Sequence, residues 1–173
     1  MKKKMSIITI SGFAGAGKTT LGKILAKRLG YRFIAPTFKD LAKKEGISLM
    51  EFQKRAEKDS GIDRKFDAYI KEEAKKGRCV IATWLAPWMV KDSLKIWVYA
   101  PIEIRARRIA KRDGMDLAEA KKHILAREES NRKRYKKVYG IDIMDYTIFD
   151  LCFNTKTFKP KEMADVIERM IKG

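Results

Sequence analysis

The stretch Gly12-Phe13-Ala14-Gly15-Ala16-Gly17-Lys18-Thr19 decides the fold. It satisfies the pattern G-x-x-x-x-G-K-[ST], whose glycines let consecutive backbone N–H groups curl around a phosphate while the following helix presents its positive end. In such a loop Lys18 reaches the β- and γ-phosphates, and the Thr19 hydroxyl binds Mg²⁺. The sequence therefore predicts a P-loop that binds ATP and Mg²⁺ through the residues from Gly12 to Thr20.

Strand-like and helix-like segments alternate around this loop. Short β-branched or apolar runs predict five strands, at 6–11, 31–35, 79–83, 94–100 and 150–154. Helical spacing and capping signals predict helices at 20–29, 48–56, 63–76, 103–112, 116–139 and 160–170. Strands separated by helices favour a parallel sheet covered on both faces. We expect one domain over residues 1–173, with a five-stranded three-layer α/β/α fold of the P-loop NTPase type.

The charge balance is strongly basic. The 173 residues include 40 Lys plus Arg against 22 Asp plus Glu, a formal net charge of +18. Such a field attracts anions, whether nucleotides, RNA or acidic lipid headgroups. With 36% charged residues and few amides, the composition is also typical of adaptation to high temperature. Both interpretations are open, and both can hold together.

Cysteine and hydropathy patterns bear on the compartment. Cys79 and Cys152 lie far apart inside apolar runs, which predicts buried, reduced thiols of a cytoplasmic protein. The start of the chain imitates a secretory signal with three lysines before an apolar stretch, but Lys18 interrupts that stretch early. No run of 18 apolar residues occurs, so we expect no membrane span. A single histidine, His123, excludes a multi-histidine metal site.

Arginines form two ordered stripes after the fourth predicted strand. Arg105, Arg108 and Arg112 follow an i, i+3, i+7 spacing, and Arg127 and Arg134 lie seven apart on the next helix. Phosphoryl transfer needs cations around the transferred group, and the planar guanidinium suits that contact. A solvated charged face is the alternative. We favour a mobile arginine lid at about 111–134. We expect these five arginines and Lys18 to stabilise the transition state.

These motifs together resemble the archaeal cytidylate kinases, a branch of the P-loop nucleoside monophosphate kinases. The resemblance covers residues 7–155, and its most specific parts are IDRKFD at 62–67, LKIWVYAPIEIRARRIAKRDG at 94–114, and the stretch 134–143. It implies a core with the P-loop, an acceptor-binding segment at about 36–76, and the lid. The implied reaction transfers the γ-phosphate of ATP to CMP or dCMP with Mg²⁺.

The acceptor side departs from the family pattern. Lys39 stands where the family has an arginine expected to hold the acceptor phosphate, so a point charge replaces a bidentate fork. The family's E-G-R-L-A becomes Ala82-Thr83-Trp84-Leu85-Ala86, which removes an acid and an arginine; Asp63 and Asp67 are candidate replacements for the acid. Trp84 could stack on a base or simply pack in the core. The residues expected to position the acceptor are Lys39, Arg64, Asp67 and Trp84.

The sequence thus favours a CMP kinase that acts on small-molecule nucleotides as a monomer. Two alternatives stay open. The same fold could phosphorylate another acceptor, such as an RNA end or a small metabolite. The chain could also be a non-catalytic, nucleotide-gated RNA- or ribosome-binding protein whose basic lid is the RNA surface.

Overall fold

A single parallel sheet organises the computed structural model, which describes residues 6–172. Its strands are β1 (Ile7–Ser11), β2 (Arg32–Ile34), β3 (Cys79–Ala82), β4 (Leu94–Tyr99) and β5 (Leu151–Asn154). They pair in the order β2-β3-β1-β4-β5, every pair parallel. All five predicted strands are confirmed within one or two residues at each end. The three lysines of the signal-like start lie outside the described residues.

Helices cover both faces of the sheet. They are α1 (Lys18–Leu29), α2 (Phe38–Lys44), α3 (Leu49–Lys58), α4 (Ser60–Lys75), α5 (Ala86–Met89), α6 (Ile102–Asp113), α7 (Leu117–Tyr139) and α8 (Pro160–Lys172), with a 3-10 helix at Tyr146–Ile148. The predicted three-layer α/β/α class is confirmed. Among the helices of residues 6–172, none combines the length and apolarity needed to cross a membrane.

The central strand β1 is buried along its whole length because helices cover both of its sides. Alternate residues face opposite layers. Ile8 and Ile10 join the cluster beneath α1 and α8, whereas Ile7 joins the cluster beneath α4 and α5. An apolar run without visible alternation thus indicates a strand whose side chains pack into a hydrophobic cluster on each face of the sheet.

Two short helices escaped the sequence analysis, α2 and α5. Helix α2 begins with a capping box, in which the Thr37 hydroxyl accepts from the backbone N–H of Asp40 while the Asp40 carboxylate accepts from that of Thr37. The T-x-x-D spacing was a readable signal for this start. Helix α5 begins where the Thr83 hydroxyl accepts from the backbone N–H of Ala86. Phe38 and Lys39 of α2 line the cavity described below, and α5 begins directly after the lining residue Leu85.

The expectation that both thiols are buried is wrong for Cys152. Cys79 is fully buried in β3, but Cys152 is exposed, and both thiols are free. Strand β5 lies at the edge of the sheet. Its neighbour Phe153 packs into the cluster beneath α1 and α8, so Cys152 points to the opposite side, where its side chain meets solvent.

Candidate active site

One large cavity lies beyond the carboxyl ends of β1, β2 and β3, where open parallel sheets bind ligands. Its volume is about 460 Å³, within the range of small-molecule sites. One wall is the loop after β1, at 14–20. The other walls come from the segment between β2 and β3 and from the α6–α7 hairpin, residues 102–139. The predicted P-loop, acceptor segment and lid therefore meet around one cavity.

The glycine loop has a backbone that only glycine accommodates. Gly12 and Gly15 have φ values of 151° and 77°, a region that L side chains avoid. A Cβ at Gly12 would lie 2.2 Å from the Val98 carbonyl oxygen, and one at Gly15 would lie 2.7 Å from that of Arg105. Residues Ala14, Gly15 and 17–20 line the cavity. Gly12, Phe13 and Ala16 do not line it and instead support the loop from behind.

Lys18 begins α1 with its ammonium group turned onto its own loop. Its Nζ donates to the carbonyl oxygens of Gly12, at 2.6 Å, and Phe13, at 3.1 Å. It also lies 5.3 Å from the ring centroid of Trp84. Desolvation, followed by the nearby charges of Arg127 and Arg105, lowers the pKa of Lys18 to about 7. An anionic ligand in the cavity would restore the charged form of this lysine.

Four of the five predicted arginines line the cavity, namely Arg108, Arg112, Arg127 and Arg134. Arg108 donates to the Gly15 carbonyl at 3.1 Å and to the hydroxyl and carbonyl of Thr155 at 2.8 and 2.7 Å. Arg112 donates two hydrogen bonds to the carboxylate of Asp113, from Nε at 2.9 Å and from Nη2 at 2.7 Å. Desolvation, followed by the charge of Arg112, lowers the pKa of Arg127. These groups concentrate positive charge opposite the P-loop.

Two of the five arginines differ from expectation. Arg105 lies behind the P-loop and does not line the cavity, because it belongs to the first turn of α6, which passes beneath the loop. Arg134 does line the cavity, but Asp63 holds its guanidinium in a bidentate pair, at 2.8 and 3.2 Å, and Gln53 and Ser130 accept further hydrogen bonds from it. Neither is placed to move freely onto a transferred phosphoryl group.

The acceptor side is built from buried polar groups between α3, α4 and α7. Asp67 lines the cavity and accepts a hydrogen bond from the Tyr139 hydroxyl at 2.7 Å. Desolvation raises the pKa of Asp67 to about 6, against the opposing effect of the Tyr139 hydrogen bond. Asp63, the other candidate replacement for the missing acid, is committed to Arg134.

The remaining predicted acceptor residues divide between the cavity and the surface. Trp84 lines the cavity beside Lys18. Lys39 also lines it, but its Nζ pairs with Asp113 at 2.9 Å and is largely exposed. Arg64 is exposed and does not line the cavity, because α4 turns Asp63 and Asp67 inward and position 64 falls on the outer face.

A stripe on α7 carries unpaired polar atoms. Within residues 6–172, three buried side-chain polar atoms have no hydrogen-bond partner: His123 Nδ1, Arg127 Nε and Asn131 Oδ1. They follow one another at four-residue intervals, on one face of the helix. Buried polar atoms rarely stay unpaired, and Arg127 and Asn131 line the cavity, so water or ligand atoms in the cavity would complete them. Asn131 was not among the predicted site residues, although its four-residue spacing from Arg127 was a readable signal.

Magnesium fits the donor set on the P-loop side. No group of three His, Cys, Asp or Glu side chains suited to a metal occurs among the described residues. Thr19 lines the cavity at the start of α1, and a hydroxyl oxygen is a ligand that Mg²⁺ accepts alongside phosphate oxygens. The residues present therefore fit an ion held by Thr19 and the nucleotide rather than by a carboxylate cage.

Comparison with known proteins agrees with this geometry. The family model described as "Cytidylate kinase-like family" matches residues 7–157. The chain belongs to the cytidylate kinase-like family. Among its curated relatives, the cytidylate kinase of Pyrococcus horikoshii is 46% identical, over 99% of this chain and 91% of that protein. That of Ignicoccus hospitalis is 42% identical, over 96% and 99%, and that of Archaeoglobus fulgidus is 40% identical, over 95% and 94%.

Solved structures place this cytidylate kinase-like chain in a wider fold group. Shikimate kinase from Acinetobacter baumannii superposes with a TM-score of 0.65 at 18% identity, over 98% of this chain and 94% of that one. A gluconokinase from Sinorhizobium meliloti gives a TM-score of 0.58 at 16% identity, over 99% and 96%. At these identities the likeness establishes the P-loop kinase fold alone.

Proposed function

We propose that this protein transfers the γ-phosphate of ATP to CMP, giving ADP and CDP. The observation that carries the proposal is the single cavity in which Lys18 of the P-loop faces the buried polar groups of α4 and α7. Membership of the cytidylate kinase-like family supports CMP as the acceptor. The relatives named above extend that support over nearly the whole chain.

The chemistry consists of positioning and charge neutralisation. An oxygen of the CMP phosphate attacks the γ-phosphorus, and the bond from that phosphorus to the β,γ-bridging oxygen breaks as ADP leaves. No general base is required, because a nucleoside monophosphate is ionised at neutral pH. Lys18, Arg108, Arg112 and Arg127 line the cavity and would neutralise the charge on the transferred group. Mg²⁺ bound by Thr19 and phosphate oxygens would add further neutralisation.

The acceptor nucleotide would occupy the part of the cavity beneath α7. Lys39, once released from Asp113, would contact its phosphate as a point charge. The unpaired oxygen of Asn131 offers a hydrogen-bond acceptor midway along α7. The Asp63–Arg134 pair presents carboxylate acceptors beside a guanidinium donor, a combination that matches the amino group and ring acceptors on the edge of cytosine. Asp67 and Trp84 would complete this pocket, whereas we assign Arg64 no contact with the acceptor.

The test is coupled ADP release from Mg-ATP against CMP, dCMP, UMP, AMP, GMP and a short 5′-hydroxyl RNA, at about 60 °C given the composition. We expect strong, saturable stimulation by CMP. Lys18→Ala should lower kcat/KM by about 10³-fold or more while the protein stays folded. Lys23→Ala is the matched control, because Lys23 is exposed on the same helix. Full activity of Lys18→Ala, or stimulation by RNA alone, would contradict the proposal.

A further inference from the structure

A buried ion pair lies behind the phosphate-binding loop, outside the cavity. Arg105 donates through Nε to the Ala100 carbonyl at 2.9 Å and through Nη1 to the Ala14 carbonyl at 3.2 Å. The same Nη1 donates to the Glu128 carboxylate. The side chains of Arg105 and Glu128 are 7% and 18% exposed. The pair thus joins three parts of the molecule: the P-loop, the first turn of α6 and the middle of α7.

Main-chain and apolar contacts make this junction tight. Gly15 packs directly on the backbone of Arg105, where a Cβ would meet the carbonyl oxygen at 2.7 Å. The side chain of Ala14 belongs to the apolar cluster that holds α6 and α7 together, whose other buried members are Ala106, Ile109, Ala120 and Ile124. The α6–α7 hairpin therefore packs directly on the P-loop, so a displacement of one would shift the other.

The hydrogen bond from Arg105 to Ala14 orients a peptide plane of the loop. In a trans peptide, the N–H of the next residue points opposite to the carbonyl. Holding the Ala14 carbonyl toward Arg105, behind the loop, therefore turns the N–H of Gly15 the other way. N–H groups of this kind form the phosphate cradle of a P-loop, so the hydrogen bond acts on donor-phosphate binding.

The hydrogen bond from Arg105 to Glu128 sets the rotation of α7. Neighbouring residues on a helix point about 100° apart, so holding Glu128 toward Arg105 fixes the direction of Arg127. Arg127 lines the cavity with its Nε buried and unpaired. No other hydrogen bond between side chains of α6 and α7 involves a buried group in the described chain.

We infer that Arg105 and Glu128 are a positioning pair that couples the phosphate-binding loop to the orientation of Arg127. The inference rests on the proposed phosphoryl transfer, in which Arg127 neutralises the transferred group. Loss of Glu128 leaves the Arg105 cation buried without its counter-charge and releases α7 at this level. The peptide plane at Ala14 and the arginine on α7 then lose their common anchor.

The experiment compares Glu128→Gln with Glu129→Gln. Both remove one negative charge at adjacent positions, but Glu129 is exposed and pairs only with Lys133 on its own helix, at 3.2 Å, among the described ion pairs. We expect Glu128→Gln to lower kcat at least tenfold and to weaken ATP binding, while the KM for CMP stays within about twofold of the wild-type value and the spectrum is that of a folded protein. Glu129→Gln should stay within about twofold of the wild type. Equal behaviour of the two variants overturns the inference.

A double-mutant cycle separates positioning from general damage. Because Glu128 is argued to act on kcat through Arg127, Glu128→Gln should cost much less when introduced into Arg127→Ala than when introduced into the wild type. Additive losses of kcat overturn the inference. If Glu128→Gln does not fold, Arg105→Lys, which keeps the charge and loses the fork, goes through the same cycle with the same criteria.

Failure of the proposed function is distinguishable. If no acceptor stimulates ADP release by the wild type, the proposed reaction is contradicted. The ATP dissociation constants of wild type and both glutamine variants, measured by calorimetry without an acceptor, still test the link from Glu128 to the loop. An unchanged ATP dissociation constant in Glu128→Gln overturns that link.

Discussion

Lys18 is buried near Arg127 and Arg105, and this environment favours its neutral form although its ammonium group donates to carbonyl oxygens of its own loop. Its pKa is lowered to about 7, and the phosphates of a bound nucleotide raise the pKa again by their negative charge. Between these two pKa values the complex holds more protons on Lys18 than the free protein does. Nucleotide binding should therefore take up a proton at pH 8.

Calorimetry checks this at pH 8, in two buffers with different ionisation enthalpies. ATP affinity should weaken as pH rises above 7, by at most tenfold per pH unit. Lys18→Met should remove the uptake, because methionine carries no titratable proton. Proton release by the wild type, or uptake that survives in Lys18→Met, would contradict the expectation.

The protonation of Asp67 affects the stability of the fold. Its pKa in the folded protein is about 6, above the ordinary value of 3.8. The folded state thus binds more protons than the unfolded state between these values, and the stability contributed by the protonated carboxyl is lost as pH rises through 6. At pH 7.5, Asp67→Asn should have a free energy of unfolding roughly 1 to 2 kcal/mol higher than that of the wild type, as measured by urea denaturation.

The same comparison at pH 4 is the internal control for Asp67. There the wild-type carboxyl is protonated in the fold, so the advantage of Asp67→Asn should largely vanish. Contributions from other titrating groups cancel in the difference between variant and wild type. An advantage of equal size at both pH values would mean that packing, not the buried charge, separates the two proteins.

At the scale of elements, Asp113 at the end of α6 joins the acceptor segment to the hairpin. Its carboxylate pairs with Arg112 and with Lys39 of α2, and these hydrogen bonds, Arg112 first, hold the pKa of Asp113 well below its usual range. Both cations line the cavity. Substrate phosphates must therefore compete with this carboxylate for its two partners.

Asp113→Asn should release both cations and lower the KM for the acceptor about two- to fivefold at low ionic strength. The gain should shrink in about 0.5 M KCl, because exposed charges are screened there. Asp165→Asn is the matched control, since it makes the same change of net charge on α8, where Asp165 pairs with Arg28. A higher KM in Asp113→Asn would instead mean that Asp113 orients the two cations for binding.

The element scale also shows what the sequence could predict. The P-loop and all five strands follow from local patterns, because a glycine motif and apolar β-branched runs each depend on few neighbours. The stripe of Arg105, Arg108 and Arg112 specifies a common helix face but not what covers it. Arg105 and Arg112 lie about 10 Å apart along the axis, far enough for one to pass beneath the loop and the other to reach the cavity.

Three other features were not predicted from the sequence because they also depend on tertiary packing. The exposure of Cys152 depends on β5 being an edge strand, which the order of strands along the chain does not reveal. Arg64 belongs to the family-like motif at 62–67, yet only packing against α7 decides that Asp63 and Asp67 face inward. The Arg105–Glu128 pair joins positions 23 residues apart and leaves no local signal.

At the scale of the whole molecule, the net charge of +18 surrounds a cavity that takes anions. Such a field speeds the arrival of charged ligands and fades with ionic strength. We expect kcat/KM for ATP and for CMP to fall several-fold between about 0.02 and 0.5 M KCl. The inhibition constant of uncharged cytidine, used as a competitor of CMP, should stay nearly constant.

RNA provides the contrasting outcome for this charge. An RNA-binding surface would show a steep loss of RNA affinity over the same salt range, with a slope set by the number of phosphates contacted. Weak RNA binding together with salt-dependent kinase kinetics would assign the basic surface to nucleotide capture. Steep, tight RNA binding without stimulated turnover would support the non-catalytic alternative.

The contrast between the two cysteines gives the protein a built-in attachment point. Cys79 is enclosed in β3, whereas Cys152 is exposed, so alkylating reagents should reach Cys152 alone in the native state. Cys152 does not line the cavity. A single fluorophore or spin label can therefore be placed on the unmodified chain, and a second cysteine introduced on the outer face of α7 would turn any lid movement into a distance between two probes.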